Sequence, residues 1–458
     1  MERTDIYLEL VMAQPLLLTP IVGFILAFFL VPQEKRLFLT IMLVVPWLTV
    51  ARSAGLGPIA AAAKLSSGGA FLLIAYAAMV HPAPKRNIPG ILWLYPVMAF
   101  FWIFLIAGVD ERMVAIVLRV QWLLVTLAAI SLLRTINSYE DFMRIINALT
   151  IGCIITLMLP ISALVLNPTE SFLRGMGRFQ PYGANSNQIG MLFALSAPLI
   201  GYAMMTWKRI SLRPFLMFLI AMIIGMALLT ASRMTALAIA MTLTPILLVL
   251  TKRPVLTIVG VVVVAGGLSW VMSMAEDTSM DRFGSLESQR TELWGYYLRD
   301  VFTRRPLFGL LGTSGESFFR SNIVGQHPHS AWFNLMYHGG VFLLIPMWIL
   351  VGYSAFSGYK IWKLRHHLGG NPLLYSVMCM LLFAMYVQGC FNQVVYWPTY
   401  TWSFFHVLLA GLFITMWREI RIGNIDYALP SVYDDYEEGE EEYEEEFRDY
   451  TNDGAVLT

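Results

Sequence analysis

Apolar stretches recur along almost the whole chain, at roughly 10–31, 37–50, 68–80, 88–109, 113–133, 146–166, 187–206, 214–230, 234–250, 254–274, 331–357, 373–390 and 399–417. Most are long enough to cross a hydrocarbon core of about 30 Å as a helix. They lack the two-residue alternation that barrel strands need. The pattern predicts an all-α fold, a polytopic transmembrane bundle of about 12–14 spans. The first three stretches are the least regular, because Pro15, Pro20 and Pro46 interrupt them. Residues 51–67 fit neither loop nor span.

One interval departs from this rhythm. Between Ser273 and Gly340 polar residues dominate, and no apolar run begins until Ala331. Leu286, Leu293, Trp294, Tyr297, Leu298 and Val301 recur at helical spacing, so the interval is predicted to hold an amphipathic helix. Ser285 or Ser288 is suited to cap its start. Arg305-Pro306 ends it, since the residue before proline disfavours helix. Gly309, Gly312 and Gly315 mark a turn-rich continuation. The chain divides accordingly into N-terminal spans (1–145), central spans (146–272), a large extramembrane loop (273–330), C-terminal spans (331–425) and a tail (426–458).

Composition agrees with a membrane bundle: 57% of residues are hydrophobic and 13% charged, against about a quarter charged in soluble domains. The formal charge of +1 conceals an asymmetry. Residues 426–458 contain 13 acids and one base, Arg448, so the rest carries 30 bases and 17 acids. A tail this acidic repels itself and is not expected to bury a core. With alternating spans, the basic stretches 208–213, 252–253, 360–365 and 418–421 all fall on one side. The positive-inside rule makes that side cytoplasmic. The opposite side receives 167–187, 231–233, 273–330 and 391–398.

The candidate chemistry lies on that opposite face. Arg178 sits in a glycine- and asparagine-rich turn, Gly175 to Gln188, where it suits either an anion fork or a headgroup anchor. Arg233 follows Ser232, a candidate N-cap. An anion there would meet free N–H groups, the positive dipole end and a guanidinium; the alternative is a snorkelling arginine. Arg290 precedes Trp294 by one helical turn, suiting a phosphate clamp beside a sugar-stacking indole; an ion pair with Glu287 or Glu292 is the alternative. His329, in Gln326-His327-Pro328-His329-Ser330, has the side chain most suited to a general base near neutral pH. His327 and His338 compete for that role. No cysteine or carboxylate stands beside the His-x-His pair, so no metal is expected, and no cofactor. Cys153, Cys379 and Cys390 all lie in apolar runs and read as packing residues. No nucleotide-binding loop appears and no nucleic acid is expected as a partner.

The ordered set Gly177-Arg178…Asn185-Ser186-Asn187, Ser232-Arg233, Arg290-x-x-x-Trp294, Arg305-Pro306-Leu307-Phe308-Gly309-x-x-Gly312 and His329-Ser330-x-x-Phe333…Gly339 resembles the O-antigen ligase and O-antigen polymerase superfamily of bacterial inner-membrane proteins. The resemblance covers about residues 147–356. The family usually places asparagine after the motif histidine, where this chain has Ser330. The resemblance implies metal-independent, inverting glycosyl transfer on the periplasmic face. The donor would be an oligosaccharide on undecaprenyl pyrophosphate. The acceptor would be a lipid A core sugar (ligase) or the end of another lipid-linked repeat (polymerase, slightly favoured), and a chain-length regulator is a possible partner. It implies His329 and Arg290 as catalytic groups, with Arg178, Arg233, Arg290, Trp294 and Arg305 binding pyrophosphate and sugar. Two other classes compete. A transporter or flippase would show polar sites near mid-membrane and internal repeats. A cell-wall polymerase of the shape-and-division type would rely on an outer-face carboxylate, for which Asp281 and Glu287 are the candidates.

Overall fold

The computed structural model describes residues 19–106, 112–173, 177–252, 258, 290–310, 329–392 and 401–422. The predicted span 254–274, except Ile258, the acidic tail and much of the large loop lie outside these residues. Thirteen α-helices run through the described part: α1 (Thr19–Leu30), α2 (Gln33–Val50), α3 (Pro58–Val80), α4 (Leu94–Ile103), α5 (Arg112–Leu133), α6 (Tyr139–Leu166), α7 (Ser186–Thr206), α8 (Arg213–Leu229), α9 (Arg233–Leu250), α10 (Arg290–Arg304), α11 (Ala331–Leu364), α12 (Pro372–Gly389) and α13 (Thr401–Arg421). Nine of them are long and apolar enough to cross a membrane. The protein is therefore a multi-pass helical membrane protein. Among the described residues the remaining structure is two-residue strands, β1 (Phe172–Leu173) and β2 (Arg178–Phe179), paired antiparallel with Phe172 opposite Phe179, and short 3-10 turns.

Helix ends follow from local chemistry. Asn185 accepts from the Asn187 N–H at the start of α7, and Asn371 caps α12 ahead of Pro372. Two helices begin earlier than their apolar runs. The Ser138 side chain accepts from the Asp141 N–H, and Glu140 and Asp141 suit the positive helix start, so α6 begins at Tyr139 rather than near 146. The alanine-rich Pro58–Ala63 segment is strongly helix-forming, so α3 begins at Pro58 rather than near 68. The predicted 88–109 span shrinks to a 3-10 turn and the ten-residue α4. Glu34, Lys35 and Arg36 open α2 and keep it out of the apolar nine.

α7 and α13 form the centre of the bundle, with nearly all of their apolar windows buried. Phe100, Phe101, Phe104, Trp348, Ile349 and Phe383 point outward, an apolar surface suited to lipid.

The basic connections gather at one end. Arg86 pairs with Glu419 at 2.7 Å, and Arg418 donates to the Asn87 carbonyl at 3.5 Å. The Asn371 N–H donates to the Tyr139 hydroxyl at 3.1 Å, which lies 3.3 Å from the hydroxyl of Tyr202. Glu34, His81, Asp141 and Arg144 line one shallow cleft there. These contacts join the starts of α2 and α6, the ends of α3, α5, α7 and α13, and the α11–α12 turn. The base-rich stretches 208–213, 360–365 and 418–421 belong to this end.

Candidate functional site

At the other end, the β hairpin presents Arg178. Phe179 is fully buried and Gln180 donates its N–H to the Ser171 carbonyl at 2.6 Å, which pins the hairpin. The half-buried Arg178 donates through Nε to the Thr230 carbonyl and through Nη2 to Asn187 Oδ1, each at 2.9 Å. It therefore ties the α6–α7 connection to the end of α8. Three residues beyond Thr230, the exposed Arg233 opens α9. Ser232 occupies the N-cap position with extended backbone, but its side chain makes no capping hydrogen bond. The expected capping hydroxyl is thus not used as a cap.

The contacts continue across the bundle. The fully buried Gln388, near the end of α12, donates to the Met234 carbonyl at 3.3 Å. Three residues on, the Phe391 ring lies 5.9 Å from Trp294 of α10, and Trp294 stacks on Phe333 of α11 at 5.3 Å and 17°. Phe333 stands four residues after His329. Trp294 was expected to stack on a sugar. In the structure its ring packs against these two protein aromatics, which anchors α10. Arg290 begins α10 one turn before Trp294. The side chains of Arg290, Glu287 and Glu292, and His327 as a whole, lie outside what is described.

α10 ends at Arg304, as Arg305-Pro306 predicts, and the exposed Arg305 leads into a strap that docks on α11. α11 is broken at Gly340 (φ +58°, ψ −151°). In an unbroken helix the Val341 and Phe342 N–H groups would donate to Tyr337 and His338. Here they donate to the Pro306 and Leu307 carbonyls at 2.9 and 3.0 Å. The freed Tyr337 carbonyl accepts from the Leu310 N–H at 3.0 Å, and that of His338 from Trp102 Nε1 at 3.3 Å. These four groups are all satisfied. Glycine is required at both contact points. A Cβ on Gly309 would lie 2.5 Å from the Tyr337 oxygen, and one on Gly340 would lie 2.4 Å from the Pro306 oxygen.

His329 is exposed and sits just before α11 with φ +51°. Among the described residues only Tyr182, Ala231 and His329 are non-glycine residues with positive φ. Tyr182 lies between Arg178 and Asn187, and Ala231 lies between Thr230 and Arg233. Strained backbone of this kind collects at functional sites.

The end of α12 is recessed. Cys379 donates to the Gly358 carbonyl and Tyr386 meets Ser354, so α12 runs antiparallel to α11. Ser354 lies about 21 Å of helix beyond Gly340, whereas Tyr386 is within one turn of the α12 terminus. α12, and α9 through the Gln388–Met234 bond, therefore stop well below the α11 break. Arg233 opens α9 at the level of this step.

Sequence reasoning missed two buried groups. Arg119 of α5 is fully buried. Its Nη1 donates to the Trp102 carbonyl at 2.8 Å and to that of Leu105, and its guanidinium lies 4.9 Å from the Trp102 ring. His406, also fully buried, lies between Tyr95 (6.0 Å) and Tyr386 (5.6 Å). A single arginine inside 113–133 and a single histidine inside 399–417 were signals in their own right, since ionisable residues within spans are costly to bury. The polar residues are thus not confined to one face. Among the described residues no group of three or more His, Cys, Asp or Glu side chains is arranged to hold a metal ion.

The structure thus joins the segments carrying Arg178, Arg233, Trp294 and His329 through direct contacts, with Arg305 on the strap beside them. Comparison with protein-family models, with curated proteins and with solved structures gave no match for the chain.

Proposed function

We propose that this protein is an inverting glycosyltransferase of the O-antigen ligase and polymerase type. It moves a glycan from undecaprenyl pyrophosphate to an acceptor sugar, and polymerisation of lipid-linked repeats is the favoured form. The single observation that carries the proposal is the contact path Arg178–Thr230, Met234–Gln388, Phe391–Trp294–Phe333, which joins the arginine segments to the segment that bears His329. In support, these segments lie at the end opposite the base-rich connections, which the positive-inside rule assigns to the cytoplasm. On this proposal the protein sits in the bacterial inner membrane, the recess opens to the periplasm and the acidic tail is cytoplasmic.

The chemistry follows from the residue types. The bond between the sugar anomeric carbon and the pyrophosphate oxygen breaks, and the leaving diphosphate gains charge. Arg178, Arg233, Arg290 and Arg305 stabilise that charge with preorganised N–H donors. The acceptor hydroxyl attacks the anomeric carbon from the opposite side and His329 takes its proton, so the configuration inverts. Trp294, anchored on Phe333, walls the site beside the sugar. The polymerase form is favoured because no sequence motif recognised in the chain points to a lipid A acceptor.

A second proposal, transport without covalent chemistry, draws support from buried Arg119 and His406 and from the break in α11. Surface polysaccharide of a deletion strain separates the enzymatic branches. Single repeats without polymer indicate a polymerase; lipid-linked polymer without attachment indicates a ligase. Arg290→Ala and His329→Ala should each abolish long-chain glycan in cells that still insert the protein. Unchanged glycan from both would remove the mechanism.

A further inference from the structure

We propose that Arg119 is a positioning residue that holds open the break in α11 and so sets the shape of the recess. α4 ends at Ile103, and its last carbonyls have no partner within the helix. Arg119 reaches the Trp102 carbonyl and, beyond the helix end, that of Leu105, and brings positive charge to the negative end of the α4 dipole. Trp102 is thereby gripped from two sides. The guanidinium lies 4.9 Å from its ring, and His338 meets the ring edge-on at 6.2 Å. The indole N–H then takes the His338 carbonyl, one of the four backbone groups that the break at Gly340 releases. The strap from Arg305 to Leu310 satisfies the other three. Arg119 therefore acts through Trp102 on the same break that the strap occupies, and the break fixes both Arg305 and the short helical turn that follows His329. A snorkelling role is excluded because the side chain is fully buried. The consequence for transfer rests on the function proposed above; the structural coupling does not.

The test uses the purified full-length protein in lipid nanodiscs. Hydrogen exchange at the Leu310, Val341 and Phe342 amides is compared in wild type, Arg119→Met and Trp102→Phe, with α7 amides as the internal control. Loss of one supporting bond is expected to speed exchange at these three amides by about fivefold or more while α7 is unchanged. Trp102→Phe leaves the buried charge and its carbonyl partners in place, so it carries the test if Arg119→Met fails to fold. Unchanged exchange at the three amides overturns the proposal. A Phe308→Cys/Phe342→Cys pair, joined by a short thiol-specific cross-link across rings that lie 5.9 Å apart, should restore glycan transfer to Arg119→Met. Faster exchange without rescue means that the break does not carry the effect of Arg119 on transfer, which also overturns the positioning role. If wild type shows no transfer at all, the proposed function fails while the exchange result still decides the coupling.

Discussion

Pro306 and Val341 face each other as if in a sheet: the Val341 N–H donates to the Pro306 carbonyl at 2.9 Å, although Val341 belongs to a helix. The strap substitutes for a lost turn of α11, and this sets the demands on Gly340. Gly340→Ala would place a methyl group on the Pro306 oxygen in a backbone conformation that alanine resists. The expected cost is about 1–3 kcal/mol, read as a lower melting temperature in detergent. Gly352→Ala, with open space around it, is the control and should be near neutral.

Arg178 holds two acceptors that diverge, the Thr230 carbonyl and Asn187 Oδ1. A lysine cannot fork between them. Arg178→Lys should leave the protein folded and lower transfer by about 10²-fold, the loss typical of one preorganised donor. Full activity in a transfer assay would remove Arg178 from the site.

The Arg86–Glu419 pair locks the 81–87 connection to α13 at the base-rich end, with side-chain exposures of 13% and 5%. Arg86→Ala leaves Glu419 with the longer contact to the half-exposed Arg418 at 4.0 Å. It should cost about 1–3 kcal/mol, less than a fully orphaned buried charge. Replacing both partners, Arg86→Met with Glu419→Leu, should recover most of that loss. Melting temperatures of the single and double variants provide the comparison.

His81 follows α3 and lines the cleft with Glu34 and Asp141. Burial, and then the neighbouring Lys85, lower its proton affinity below the ordinary value of 6.5. The unfolded chain therefore binds the proton more readily than the folded one. Stability from this group is fully present above pH 6.5 and is lost as the pH falls through the lowered folded value. The melting temperature should drop on acidification from pH 7.5 to 5.5, and His81→Gln should flatten that drop.

Much of the bundle was legible because hydrophobic length and capping residues act locally. The predicted 187–206 and 234–250 runs match α7 and α9 almost residue for residue, with Asn185 capping α7, whereas α9 starts at Ser232 without a side-chain cap. The early starts of α3 and α6 were harder to see, because alanine propensity and a serine cap extend a helix beyond its apolar run. The break in α11 was not legible. Gly339-Gly340 is visible in the sequence, but only a strap some thirty residues away supplies the bonds that let the helix open. The stacking of Trp294 on Phe333 was not legible for a related reason: the two residues are distant in sequence. The candidate site was legible as a set of segments on one side, and the bonds linking them, such as Gln388 to Met234, were not.

On the function proposed above, the joined arginine and histidine segments form a transferase site. The most direct measurement incubates purified protein in sealed vesicles with lipid-linked oligosaccharide and no energy source, and follows new glycosidic bonds together with released undecaprenyl pyrophosphate. Wild type should give lengthened glycan with inverted linkage, and His329→Ala and Arg178→Ala should give none. Lipid-linked sugar that crosses the bilayer without any new bond, or an undiminished rate from His329→Ala, would contradict that function.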